Sequence, residues 1–252
     1  MKRHWLSWVM TVLILLVTAC NVEKEEIEPV FQEEKPPVKD EVSEEEQTAH
    51  LEADEDGVLK NPSDIEVLVN REYRLPADYE PEDLVVPDVA FPYEEDVPKK
   101  QLRKPAAEAL EALFREANEE GLTLFAVSGY RSYTRQETIF AANVSKDGEE
   151  AANQYSARPG ESEHQTGLAM DVSSPSNNYE LTIEFGKTAE GEWLKDHAHH
   201  HGFIIRYPED KTDITGYQYE PWHLRYVGEE LATHLYETEK TLEEYYGAIP
   251  KD

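Results

Sequence analysis

Four side chains in this sequence have the types and spacing to hold a metal ion and use it: His164, Asp171, Glu220 and His223. His164 and Asp171 stand seven positions apart in Ser162-Glu-His-Gln-Thr-Gly-Leu-Ala-Met-Asp171, and the second histidine closes Glu220-Pro-Trp-His223. Two imidazoles and a carboxylate supply three N/O ligands, the number a catalytic zinc uses when its fourth position stays open for water. With one aspartate among the ligands a divalent ion keeps net positive charge and remains a strong Lewis acid. Glu220 is then an unligated carboxylate beside the metal, a candidate general base. A histidine and an aspartate seven apart are common by chance, but the small residues Gly167 and Ala169 leave room for an ion, and the Glu-x-x-His segment adds the missing groups.

Competing chemistries find less support. Asp196-His-Ala-His-His-His201 holds four histidines in five positions, and helical spacing would set His197 and His201 on one face. We expect a solvent-exposed helix end there, where histidines suit the negative pole, with at most weak metal scavenging. No Gly-x-Ser-x-Gly and no phosphate loop appear, and Cys20 is the sole cysteine, so nucleophilic and nucleotide chemistries have little to stand on. Arg131 has the fork geometry for a carboxylate, although a structural salt bridge is the commoner use of such a residue.

The elements that must position these groups follow from periodicity. Leu102, Ala106, Leu110, Leu113, Phe114 and Ala117 recur at helical spacing, which predicts a core-facing helix from about Pro98 to Glu120, stopped by Gly121. Thr123–Val127 is a short buried-strand pattern that delivers Ser128-Gly-Tyr-Arg-Ser132 at its end, and a helix from about Thr134 to Ser145 would follow, with Gln136 in its first turns. Asp147–Pro159 is expected as a polar loop or irregular helix. A strand over Gly167–Val172 would put Ala169 and Asp171 on one face, and a bend near Gly167 would swing His164 toward Asp171. Next come a helix from Trp193 to Gly202, a strand from Phe203 to Tyr207, a turn from Asp210 to Gly216, an extended Tyr219–Tyr226 and a closing amphipathic helix from Gly228 to Tyr246. The sum is an α+β domain with a small, mostly antiparallel sheet and packed helices.

Composition sets the boundaries. Lys2, Arg3 and His4 precede an apolar run from Trp5 to Val17 and then Thr18-Ala19-Cys20, the three-part layout of a secretory signal. The run is too short to favour a permanent span. Val17-Thr-Ala-Cys20 resembles a bacterial lipobox, so residues 1–20 are expected to be a lipoprotein signal and Cys20 to carry two acyl chains, enough for stable membrane anchoring. Between residues 21 and 57 fifteen acidic residues face three basic ones, so 21–60 reads as a solvated linker extended by self-repulsion, with the folded domain spanning 61–250. With a formal net charge of −30, the chain lacks the basic patch a nucleic-acid partner would need.

Ser128-Gly-Tyr-Arg-Ser132, Ser162 to Asp171 and Glu220 to His223, in that order and spacing, resemble the zinc D-alanyl-D-alanine carboxypeptidases of the VanY type and their L,D-carboxypeptidase relatives. The resemblance runs from Asn61 to Gly247 and leaves the signal and acidic segment outside. It implies an extracytoplasmic peptidoglycan-trimming exopeptidase, acting on stem peptides as a D,D- and/or L,D-carboxypeptidase, with the small α+β fold of related zinc murein peptidases. Residue by residue, it implies Zn2+ held by His164, Asp171 and His223, Glu220 as catalytic base, and Arg131, Gln136 and Ser162 around the substrate's terminal residue, with Arg131 close enough to aid catalysis. The histidine run from His197 has no counterpart role. We expect a monomer. The alternatives are a lipid-anchored, non-catalytic cell-wall binding module and a zinc endopeptidase or dipeptidase on the same scaffold.

Overall fold

A computed structural model describes residues 50–249; the signal with Cys20 and the acidic segment up to residue 49 lie outside the described residues. The helical spacing folds as α1, Lys104–Glu119, with Ala106, Leu110, Leu113 and Ala117 fully buried. A truncation such as Leu110→Ala at this density would cost about 2–5 kcal/mol. The helix starts later than the pattern suggests. Pro98–Lys100 makes a single 3-10 turn, and Leu102–Arg103 (β2) pairs antiparallel with Leu84–Val85 (β1), so Leu102 enters the core from a strand.

The sheet that carries the site has four strands, β3 (Phe125–Ser128), β4 (Ala169–Ser173), β5 (Phe203–Tyr207) and β6 (Glu220–Tyr226), in the order β3-β4-β6-β5 with every neighbour antiparallel. This is the expected α+β arrangement. One face packs Met170, Val172 and Leu224 against α1. All five residues of β4 are buried, including Asp171, and a carboxylate so placed demands charged or hydrogen-bonding partners. β4 begins at Ala169 because Gly167 is left-handed, with φ +68, and ends the 3-10 turn Glu163–Thr166 that holds His164.

Helices α2 (Tyr133–Asp147), α3 (Glu149–Tyr155), α4 (Ala189–His197) and α5 (Thr212–Thr215) fill the intervals; α3 is the helical alternative for the polar stretch after residue 147, and α5 stands where only a turn was expected. The closing helix is in fact two, α6 (Glu229–Thr238) and α7 (Leu242–Tyr246). Glu239 turns left-handed at φ 53, and Thr241 with Glu244 forms a capping box that restarts the chain. The leucine spacing continues across this break, which is why periodicity alone merged the two.

The folded body also reaches further toward the N-terminus than residue 61. Ala53 bridges Leu59, Val58 bridges Arg74, and Leu59 is 2% exposed in a cluster with Val67, Val69 and Leu75. Leu51 and Leu59 pack there, with these bridges, in a stretch whose charge conceals them.

Candidate metal centre

Sheet register brings the metal-ligating types together. Asp171 in β4 stands directly opposite His223 in β6, and Ser128 at the end of β3 lies opposite Asp171 on its other side. Glu220 and His223 are three apart, so strict strand alternation would send them to opposite faces. The β5–β6 register shifts between the Tyr207–Glu220 and Ile205–Leu224 pairs, and this irregularity re-aims the first part of β6 so that both side chains line one cavity. Its volume is about 340 Å³.

One ligand atom from each of His164, Asp171 and His223 lies within 4.8 Å of the other two, and all three residues are buried. The His164 ring donates its Nδ1 proton to Gly129 O at 2.9 Å, which leaves the Nε2 lone pair 3.4 Å from Asp171 Oδ2. Gly129 must be glycine for this approach, because a Cβ there would meet Gln101 O at 2.5 Å. The His223 ring is held the opposite way round. Its Nε2 faces Glu163 Oε2 at 3.3 Å and its Nδ1 faces Asp171 Oδ1 at 3.1 Å. Each imidazole thus has one nitrogen tied to an acceptor and the other turned inward, the orientation that outer partners impose on metal-binding histidines.

The electrostatics ask for a cation. Asp171 Oδ1 is buried without a hydrogen-bond partner, since its 3.1 Å approach to His223 Nδ1 is off the line of a hydrogen bond. Burial raises the Asp171 carboxyl pKa, but the His164 and His223 rings outweigh it and hold the group well below the ordinary range. Burial lowers the His223 pKa, but Asp171 and Glu163 outweigh it and push the ring up to about 9. A site that drives its own imidazole toward imidazolium is built to surround positive charge. Two nitrogens and one carboxylate oxygen fit a divalent ion of the zinc class, with a position left open.

Glu220 stands apart from this set, its Oε2 3.9 Å from His223 Nδ1. Burial, reinforced by the Asp171 and Glu163 charges and opposed by His223 and Arg131, raises its pKa to about 7, where a carboxylate can both take and return a proton. Arg131 is the sole Arg or Lys on the cavity wall among the described residues. Its Nη1 donates to Gln136 Oε1 at 2.8 Å and its Nη2 to Ser128 Oγ at 3.3 Å. Gln136 in turn donates to Ala157 O, so its amide fixes the guanidinium in place. Ser162, 5% exposed, lines the same cavity just before the His164 turn. The seven residues singled out in the sequence therefore meet in one place.

Sequence reasoning missed the support beneath them. Glu163 accepts 2.7 Å hydrogen bonds at Oε1 from both Arg206 Nε and Arg225 Nη1, and Arg206 pairs bidentately with Glu243 at 2.6 and 2.9 Å. All four of these side chains are fully buried. Arg206 and Arg225 sit inside strand patterns, and only their burial as charged residues could have flagged them. The histidine run also departs from expectation. His199 is 7% exposed and stacks on Tyr236 with ring centroids 3.7 Å apart, while α1 brings Glu116 and Glu120 to His197.

The known proteins similar to this chain are carboxypeptidases. The family model "VanY: D-alanyl-D-alanine carboxypeptidase" matches residues 99–229. YodJ of Bacillus subtilis (strain 168), named as a carboxypeptidase, is 55% identical over 193 residues, covering 77% of this chain and 71% of that protein. The solved LdcB LD-carboxypeptidase is 54% identical with a TM-score of 0.75, covering 80% of this chain and 94% of its own. The D,D-pentapeptidase VanY from a VanB-type resistance cassette, solved with Zn(II), is 35% identical with a TM-score of 0.59, over 72% of this chain and 98% of its own.

Proposed function

The chain belongs to the VanY family of D-alanyl-D-alanine carboxypeptidases and is a metallo-carboxypeptidase, and from that premise we propose that it removes the C-terminal D-alanine of peptidoglycan stem peptides with zinc held by His164, Asp171 and His223. The observation that carries the zinc assignment is the convergence of three ligand atoms within 4.8 Å around a buried carboxylate oxygen that accepts no hydrogen bond. Bound there, zinc would supply a Lewis acid that polarises the scissile carbonyl and makes water a better nucleophile near neutral pH.

The chain's own residues do the rest. Arg131, held by Gln136 and Ser128, receives the substrate's free terminal carboxylate in a bidentate pair and sets the distance to the scissile bond. Ser162 borders the terminal residue. Glu220 takes the proton released as water adds to the carbonyl carbon and returns it to the departing D-alanine amine. Its raised pKa, about 7, suits both transfers. A cavity of about 340 Å³ that holds Arg131 and Glu220 together gives a peptide's free end a place beside the base.

We favour tetrapeptide over pentapeptide stems, because the LD-carboxypeptidase is 54% identical and the D,D-pentapeptidase 35%. A binding module without catalysis is disfavoured, since base, carboxylate anchor and all three candidate ligands are present together. The enzyme would work outside the membrane as a monomer, tethered by lipid on Cys20 through the acidic segment that follows, a reading supported by the signal-like layout of residues 1–20. Purified enzyme is incubated with tetrapeptide and pentapeptide stems and the products weighed by mass spectrometry. Loss of one alanine, faster from the tetrapeptide, is expected. Binding without release would instead establish the binding module.

A further inference from the structure

Away from the catalytic cavity, the C-terminal end of α1 meets the histidine run. Glu116 and Glu120, one helical turn apart, and His197 at the end of α4 each offer a ligand atom within 4.8 Å of the other two. His201 adds a second imidazole, its Nε2 hydrogen-bonded to Glu116 Oε2. We propose that this cluster is a second metal site, taking a borderline divalent transition ion such as Zn2+ on Glu116, Glu120 and His197, with His201 orienting Glu116.

Three independent features support it. First, His197 is already arranged as a ligand. Its Nδ1 proton goes to Trp193 O at 2.8 Å and its ring lies flat on Trp193, with centroids 4.5 Å apart and planes within 7°. The tautomer is thereby set, the lone pair sits on Nε2 and the ring cannot swing away, the support that bound metals find in outer partners. Second, the carboxylates are placed against their own helix. Glu116 and Glu120 repel as like charges four apart, and they stand at the negative end of α1, whose last turn carries no basic residue. A divalent cation cancels both penalties at once, because two carboxylates and one neutral imidazole leave the loaded site uncharged. Third, the donor set of one nitrogen and two oxygens selects its ion: carboxylates alone would suit Mg2+ or Ca2+, and imidazole shifts preference to the transition series. The bound ion would cross-link α1 to the α4 end of the fold without entering the catalytic cavity, whose lining includes none of these residues.

The test uses zinc-loaded enzyme dialysed against added Zn2+ in a large excess of Mg2+, with metal per chain measured by elemental analysis. The wild type is expected to take up a second zinc, and Glu116→Gln, Glu120→Gln and His197→Gln each to weaken that second binding by at least about ten-fold, the lower end of what losing even an outer partner costs. All three should keep the first zinc and full D-alanine release. His200→Gln, outside the ligand set, should keep both. Saturation of the wild type at a single zinc would overturn the proposal and leave His201 as a simple hydrogen-bond partner of Glu116. Retention of the second zinc by all three variants, or its displacement by Mg2+, would also overturn it.

Discussion

Glu163→Gln separates the support of the metal site from the stability of the fold. Glu163 is fully buried and joins three groups: Arg206 and Arg225 at Oε1, each at 2.7 Å, and His223 Nε2 at Oε2, 3.3 Å away. With Glu243 the cluster holds two guanidinium and two carboxylate charges, so replacing one carboxylate by an amide strands one buried cation. Breaking a buried pair in this way costs about 3–5 kcal/mol. At roughly 2–4 °C per kcal/mol for a body of this size, the melting temperature should fall by about 6–20 °C. The variant also loses the anion that orients the His223 ring, which should weaken zinc affinity by about 10–100-fold. Glu243→Gln supplies the contrast. Its oxygens bind the same Arg206 at 2.6 and 2.9 Å, and its carboxylate makes no hydrogen bond to His223, so it should lose comparable stability and keep its zinc. Melting curves and chelator competition at a temperature where all three proteins are folded would decide. Equal zinc loss in both variants, or none in Glu163→Gln, refutes the orienting role.

Other perturbations probe the remaining groups. Glu220→Gln should keep zinc and substrate binding but lower kcat by about 10²–10⁴, the contribution of a positioned acid–base group; full D-alanine release by this variant would remove Glu220 from the mechanism. Arg131→Ala should raise KM for peptides ending in a free carboxylate and barely affect residual action on C-terminally amidated ones, which a kinetic comparison of the two peptides would reveal. Burial raises the Glu163 pKa but Arg206 and Arg225 outweigh it, so its folded-state value is depressed. Its stabilisation is therefore complete above the unfolded carboxylate value of about 4.3 and is lost as pH falls below it; acid titration of the melting temperature should be steeper for wild type than for Glu163→Gln. Cys20→Ala should move the protein out of the membrane fraction, and a processed variant that stayed there would rule out the lipid anchor.

What the sequence determined by itself was chemistry and local periodicity. The residue types at His164, Asp171, Glu220 and His223, the arginine after a short strand and the bend near Gly167 were all legible, because ligand chemistry and turn geometry depend on few neighbours. The strand Phe203–Tyr207 was likewise readable to the residue. Where the chain uses side-chain caps and backbone turns without Gly or Pro, as at Glu239 and Thr241, the periodic signal ran through the break and one helix was expected for two. The beginning of the folded body was concealed for a related reason, since Leu51 and Leu59 are two apolar residues among many charges.

Only the tertiary structure decided which groups became partners. Asp171 and His223 are neighbours because two distant strands pair in one register, and a slip of a single residue would turn one of them to the other face. Glu163, adjacent to His164 in sequence, supports instead the His223 ring sixty positions away. Arg206, Arg225 and Glu243 come from two strands and a C-terminal helix, and nothing in their local sequence distinguishes them from surface charges. The same holds for Glu116 and Glu120, which read as the solvated face of α1 until the fold sets His197 against them. Spacing along a chain can place groups within one element. Long-range pairing determines which of them share a dry cavity and so acquire a shifted pKa, a fixed tautomer or a metal.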